Sequence, residues 1–228
     1  MKLGSLISSG KDSMYAMYLM KQKGNSIECF ITIKSKNKDS YMLHTPAIEM
    51  TKLQAEAMGV PLLEHSTEGE KEKELKDIKE ALQKAKDQYN IEGITTGALY
   101  SQYQKERIEK MCEELSLECF SPLWHMDQEK EVREIIDNQF EFILTKIAGE
   151  GFDKSWLGKV IIHKDVDKLV DINKKIGINI AFEGGEAESL VIDCPMFNKK
   201  IEIVDFEIEE ENDHIAIMDI KEARLVEK

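Results

Sequence analysis

Ser8, Ser9, Gly10, Lys11, Asp12 and Ser13 stand between a short apolar run, Leu3–Ile7, and a helical pattern, Met14–Gln22. A loop that leaves a strand and opens a helix aims its backbone N–H groups at one spot, where the helix dipole adds partial positive charge. Small residues let an anion come close to the main chain. Lys11 adds a full charge, and Ser8, Ser9 and Ser13 add hydroxyl donors. That set suits phosphate binding, although a serine-rich helix cap with no ligand has the same composition. Two common phosphate loops are excluded. A Walker A loop needs glycine where this chain has Ser5 and Ser or Thr where it has Asp12. The G-x-G-x-x-G dinucleotide fingerprint is absent.

A second group lies far along the chain. Glu183, Glu186 and Glu188 place three carboxylates within six residues around Gly184–Gly185. Such a concentration of charge is costly unless a cation answers it, and Mg²⁺, Lys11 or an incoming ammonium could do so. The alternative is a solvated acidic turn. Tyr103 and Arg107 stand i, i+4 and could reach a site or simply dress a helix surface. Five histidines are scattered and none is singled out; Trp124 and Trp156 read as core residues.

These groups need elements to position them. Leu3–Ile7, Ile27–Ile33 and Val60–His65 read as strands, and Gly93–Gly97 as a strand end. Met14–Gln22, with Gly24 as C-cap, reads as a helix. So does a segment from Thr45–Pro46 to Met58, stopped by Gly59. Leu75, Ile78, Leu82, Ala85 and Tyr89 mark one face of a further helix, and Gln104–Leu115 another. Tyr41–His44 is ambiguous. Strands alternating with helices imply a parallel sheet. Beyond Ser121–Pro122 come helices at Lys130–Asn138 and Val166–Ile176 and a strand at Phe140–Ile147. The end is alternating β: Leu190–Asp193, Ile201–Ile208 and His214–Ile220, with Glu209–Asp213 expected as an acidic turn. Two domains are expected, 1–120 an α/β nucleotide domain and 121–228 an α+β domain ending in antiparallel strands.

The 228 residues suit one large or two small domains, and 42% hydrophobic content supports a core. The net charge of −13 argues against a broad grip on nucleic acid. Four cysteines without C-x-x-C spacing read as inert thiols of a reduced, cytoplasmic protein. No apolar run approaches the ~18 residues of a membrane span, and the first is broken too early for a signal peptide.

Ser8–Ser13 resembles the S-G-G-x-D-S loop of the PP-loop ATP pyrophosphatases, a HUP-like fold, at five of six positions. Within that group, four further stretches resemble the diphthine–ammonia ligase family: Thr96–Gln104 with Arg107 and Cys112; Ser121–Trp124; Gly149–Gly151 with Trp156–Gly158; and Phe182–Ser189 followed by Asp193–Phe197. Three positions depart from the family pattern. Ser9 and Phe182 replace usual glycines, and Ala187 replaces a usual aromatic residue. At Ser9 a negative φ is expected, which serine tolerates.

The resemblance implies ATP and Mg²⁺ as cofactors and ATP-dependent amidation of diphthine on elongation factor 2 with ammonium. The route is an acyl-adenylate, and AMP and pyrophosphate are released. It assigns nucleotide binding to Ser8, Ser9, Gly10, Lys11, Asp12, Ser13, Gly97, Gly184 and Gly185. Catalysis falls to Lys11, Asp12, Glu183, Glu186 and Glu188, and Mg²⁺ to Asp12. No membrane or nucleic-acid partner is expected; a homo-oligomer is compatible with the sequence. The rival readings are a pyrophosphatase acting on another substrate, as in tRNA thiolation, or a nucleotide sensor.

Overall fold

The computed structural model describes residues 1–35, 47–69 and 73–228. The helix start at Thr45–Pro46 and the ambiguous Tyr41–His44 lie outside the described residues.

The first sheet contains β1 (Lys2–Leu6), β2 (Ser26–Ser35), β3 (Leu62–Thr67), β4 (Gly93–Thr95) and β5 (Glu118–Phe120), in the order β3-β2-β1-β4-β5. Every neighbouring pair is parallel. Its connections include α1 (Lys11–Gln22), α2 (Thr51–Met58), α3 (Lys73–Tyr89) and α4 (Gln102–Glu114). The strand order reverses between β1 and β4, so the loops after these two strands diverge and leave a crevice at their carboxyl ends. The Ser8–Ser13 and Thr96–Ser101 stretches sit there.

Local signals explain most elements. Ile78, Leu82 and Ala85 of α3 are buried together with Ile31 of β2 and Ile94 of β4, as one face of an amphipathic helix requires. Gly59 ends α2 in the left-handed conformation, φ +73°. Ser101 caps α4 by accepting a hydrogen bond from Gln104 N. The three-residue β5 carries too little pattern to read from sequence; it exists because it pairs with β4, Gly93 opposite Glu118.

The second sheet runs β7-β6-β9-β8 and is antiparallel throughout: β6 (Glu141–Ala148), β7 (Ala187–Asp193), β8 (Lys200–Asn212) and β9 (Ile215–Val226). Helices α5 (Gln128–Asp137) and α6 (His163–Ile176) accompany it. The expected acidic turn at Glu209–Asp213 is largely strand. Glu209 pairs with Ile217 and Glu210 with Ala216, and β8 runs on to Asn212. Charge does not prevent this, because these side chains stay in water while the ladder satisfies the backbone.

The first sheet shares one core with the second sheet and packs a separate cluster against α3 and α4. Met14 and Met17 of α1 pack in the same cluster as Phe142 of β6 and Leu190 and Val191 of β7. Gln54 of α2 stitches the halves: fully buried, its Nε2 donates to Ser9 O at 2.9 Å and to Val191 O at 2.8 Å. Gln54→Leu removes both bonds, but Ser9 O keeps the one it accepts from Val191 N, and a Gln54 Oε1 that is buried without a partner goes too. The cost is that of the lost bonds, about 0.5–1.5 kcal/mol each, and not of two stranded carbonyls. A loss of about 1 kcal/mol or more is expected in urea unfolding; a change under about 0.3 kcal/mol would show that the stitch is dispensable.

Candidate active site

The loop after β1 is held from behind. Ser9 is fully buried, and its carbonyl accepts from Gln54 Nε2 and, at 3.1 Å, from Val191 N. Its φ is +69°, which corrects the expected negative value. Those bonds dictate where the carbonyl points, and the left-handed turn is how the chain complies, at about 1–2 kcal/mol for a non-glycine residue. Phe182, the other residue at a usual glycine position, also has positive φ, +71°. Its ring is buried edge-on to Phe152, with centroids 6.2 Å apart.

In front of the loop opens a cleft of about 710 Å³, within the roughly 300–1,000 Å³ of ligand pockets. Ser8, Gly10, Asp12 and Ser13 line it from the loop, and Thr96 and Gly97 from beyond β4. Glu183, Gly184, Gly185 and Glu188 line it from the turn before β7 and from β7 itself. The two groups singled out from sequence thus face one space. Gly97 must be glycine: a Cβ there would lie 2.5 Å from Ser13 N and 2.7 Å from Asp12 C. Gly184 lets Glu186 fold under the turn, since a Cβ would lie 2.5 Å from Glu186 Oε1. Lys11 N donates to Ser189 Oγ at 3.1 Å, and Ser13 Oγ to Gly10 O at 3.1 Å. The helix α1 therefore begins directly against β7. Ile7, Ile31, Ile33, Ile48 and Ile78 form an apolar end of the cleft.

Two of the expected nucleotide-binding residues do not line this cleft, Ser9 and Lys11. The Lys11 side chain is fully buried. Its ammonium is hydrogen-bonded to Asp12 and lies 3.3 Å from Glu131 Oε1. Although burial works against its charge, Asp12 and Glu131 hold the Lys11 pKa above the ordinary value. Glu131, on α5, escaped the sequence reading. It is fully buried, and desolvation pushes its carboxyl well up, with Lys11 opposing. An acid amid helix-surface residues carries no signal of a partner 120 positions away.

The turn acids differ from one another. Glu183 stands open to solvent along the cleft, yet protein crowding and the Asp12 charge push it up to about 7. Glu188 is pushed up to about 7, first by burial, against the pull of Lys146. Glu186 turns away: its Oε1 accepts from Asn179 N at 2.7 Å, and its Oε2 is buried without a hydrogen-bond partner. Glu186 does not line the cleft. Its geometry suits holding the turn. Arg107 lies over the Tyr103 ring, 3.3 Å from its centroid, and neither lines the cleft. The four cysteines are free, and none lines the cleft. Trp156 is a core residue, whereas Trp124 is only half-buried.

The residues present fit a nucleotide polyphosphate with a divalent cation. Helix N-terminal N–H groups and serine hydroxyls meet an anion, and the apolar end meets a base. The raised Glu183 and Glu188, beside an Asp12 already paired with Lys11, face a cleft whose one lysine or arginine among the described residues is Lys105. Among the described residues, His65, Asp77 and Glu80 also come within metal-ligating distance of one another, outside the cleft lining.

Two expectations follow from this geometry. Ser9→Gly keeps the turn and removes its strain together with a buried hydroxyl that has no hydrogen-bond partner. It should raise stability in urea by about 0.5–1 kcal/mol after the added chain entropy of glycine; destabilisation would contradict the strain. Glu183 and Glu188 titrate above their ordinary range, so the folded protein binds more protons than the unfolded chain between about 4.5 and about 7. Stability from these groups falls as pH rises through that window. Mg²⁺ should therefore raise the melting temperature more at pH 8 than at pH 5.5; an equal rise at both would remove these carboxylates from metal binding.

Comparison with known proteins shows the family. The family model described as diphthamide synthase N-terminal domain matches residues 1–119, and the one described as diphthamide synthase C-terminal domain matches 127–226. Diphthine–ammonia ligase from Mus musculus is 34% identical over 220 residues, covering 88% of this chain and 82% of that protein. The Homo sapiens protein of that name is 34% identical over 224 residues, covering 90% and 83%. A solved structure described as a predicted subunit of tRNA methyltransferase from Methanocaldococcus jannaschii overlaps with a TM-score of 0.46 at 18% identity, covering 86% of this chain and 98% of that one. At that level of overlap it says nothing about function. With both of its domain models matched in order along the chain, the protein belongs to the diphthamide synthase family.

Proposed function

We propose that this chain is an AMP-forming ligase that amidates diphthine on elongation factor 2 with ammonium. The observation that carries the reading is the shared cleft: the phosphate loop after β1 and the acid turn before β7 face the same 710 Å³. Residues 1–120 would hold ATP and 121–228 the acyl substrate. The apolar end takes the adenine. Backbone N–H groups at the start of α1, with Ser8 and Ser13, receive the phosphates. Asp12 and Glu183 would hold Mg²⁺, which when bound would neutralise polyphosphate charge.

The substrate carboxylate attacks the α-phosphorus, a P–O bond to the β-phosphate breaks, and pyrophosphate leaves on the loop. Ammonia then attacks the acyl carbon of the acyl-adenylate, and AMP departs. Glu188, at about 7, can exchange a proton with the incoming ammonium near neutral pH. Lys11 acts behind the loop, fixing Asp12 through their ion pair. Among the described residues no helix is long and apolar enough to cross a membrane. Thiolation finds no support in the cleft, because no cysteine among the described residues lines it.

Purified protein with ATP, Mg²⁺, ammonium and diphthine-bearing elongation factor 2 should give AMP, pyrophosphate and an amide-sized mass change on the factor. AMP formation that requires tRNA instead would sink the reading. Asp12→Asn should cut turnover at least about a hundredfold while the fold persists; unchanged turnover would remove Asp12 from the mechanism.

A further inference from the structure

A polyphosphate brings several negative charges into a cleft whose own ionisable lining is mostly acidic, Asp12, Glu183 and Glu188. The lysine of the loop cannot answer them from where it lies, since Lys11 is fully buried and paired with Asp12 and Glu131. Among the described residues that line the cleft, the one lysine or arginine is Lys105. It stands in the first turn of α4, its N–H donating to Ser101 O at 3.0 Å, so the positive end of the helix dipole adds to its charge. The loop leading into that helix is the one that Gly97 brings against Ser13 and Asp12.

We infer that Lys105 is the side chain that receives the polyphosphate of ATP, taking the part that a lysine at position 11 would otherwise be assigned. In the structure its ammonium is hydrogen-bonded to Glu109, one turn on, and lies 5.1 Å over the Trp124 ring. Its side chain is 19% exposed, against 41% for Glu109, so the carboxylate partner is open to water while the lysine is partly covered. An i, i+4 ion pair whose carboxylate is open to water is worth little, so the charge-assisted bonds of a polyphosphate can displace Glu109. The flexible stem of lysine can exchange one partner for the other without moving α4. Glu109 thereby parks Lys105 beside the cleft until an anion arrives.

This inference rests on the cleft being an ATP site, but its test needs no protein substrate. Calorimetry with Mg²⁺–ATP, inorganic pyrophosphate and AMP as probes compares the unaltered chain with Lys105→Met, Lys105→Arg and Glu109→Gln. Lys105→Met is expected to weaken ATP and pyrophosphate about tenfold or more and AMP by less than about threefold, with Lys105→Arg restoring most of the loss. Glu109→Gln releases the lysine and is expected to tighten pyrophosphate. ATP and pyrophosphate binding to Lys105→Met within about twofold of the unaltered chain would overturn the assignment, as would equal losses for all three probes. A chain that binds ATP through Lys105 yet amidates nothing would fell the proposed function and leave this assignment standing.

Discussion

The carbonyl of Ser9 accepts two hydrogen bonds at once, from Val191 N of β7 and from Gln54 Nε2 of α2. Everything at the cleft depends on that attachment. A phosphate loop is useful only if its N–H groups converge without having to be ordered by the ligand, and here the ordering comes from a strand of the other sheet. The backbone accepts a left-handed serine to keep the bond. Lys11 N on Ser189 Oγ and Lys11 Nζ beside Glu131 fasten the same few residues to the same half of the molecule. The nucleotide loop and the acid turn are therefore one rigid unit, although 170 or more residues separate Lys11 from Glu183 in the chain.

That unit explains how the acids are used. Three carboxylates about a Gly–Gly turn do not all enter the cleft. Glu186 closes the turn by accepting from Asn179 N, which leaves Glu183 and Glu188 facing the loop. Their raised proton affinity follows from crowding and from Asp12 opposite. In the proposed reaction, a site poised in this way would bind a cation when deprotonated and exchange protons near neutral pH. Lys11 adds to this indirectly. A buried ion pair is weak evidence of stability, because desolvation offsets the attraction; its clear effect is to fix where Asp12 stands.

Much of this was legible in the residues. The loop, the acid turn and the alternation of strand and helix all rest on local signals: small residues at a helix start, carboxylates around glycines, apolar periodicity. What escaped the sequence is non-local. The burial of Lys11 depends on α5 supplying Glu131, and nothing near position 11 or position 131 announces the other. The positive φ of Ser9 is imposed by Val191. The acids of β8 read as a turn because their cross-strand partners on β9 are visible only once the hairpin forms. β5 is an edge of three residues whose existence depends on β4.

The account's central claim is that the loop and the acid turn form one adenylating site, in which the substrate carboxylate attacks the α-phosphorus. The oxygen it uses must then stay with the nucleotide. With the carboxylate of the diphthine-bearing protein enriched in oxygen-18, mass spectrometry of the products after a single turnover should find one labelled oxygen in the phosphate of AMP and none in pyrophosphate. Label in inorganic phosphate, with ADP as the nucleotide product, would mean attack at the γ-phosphorus and would contradict the account.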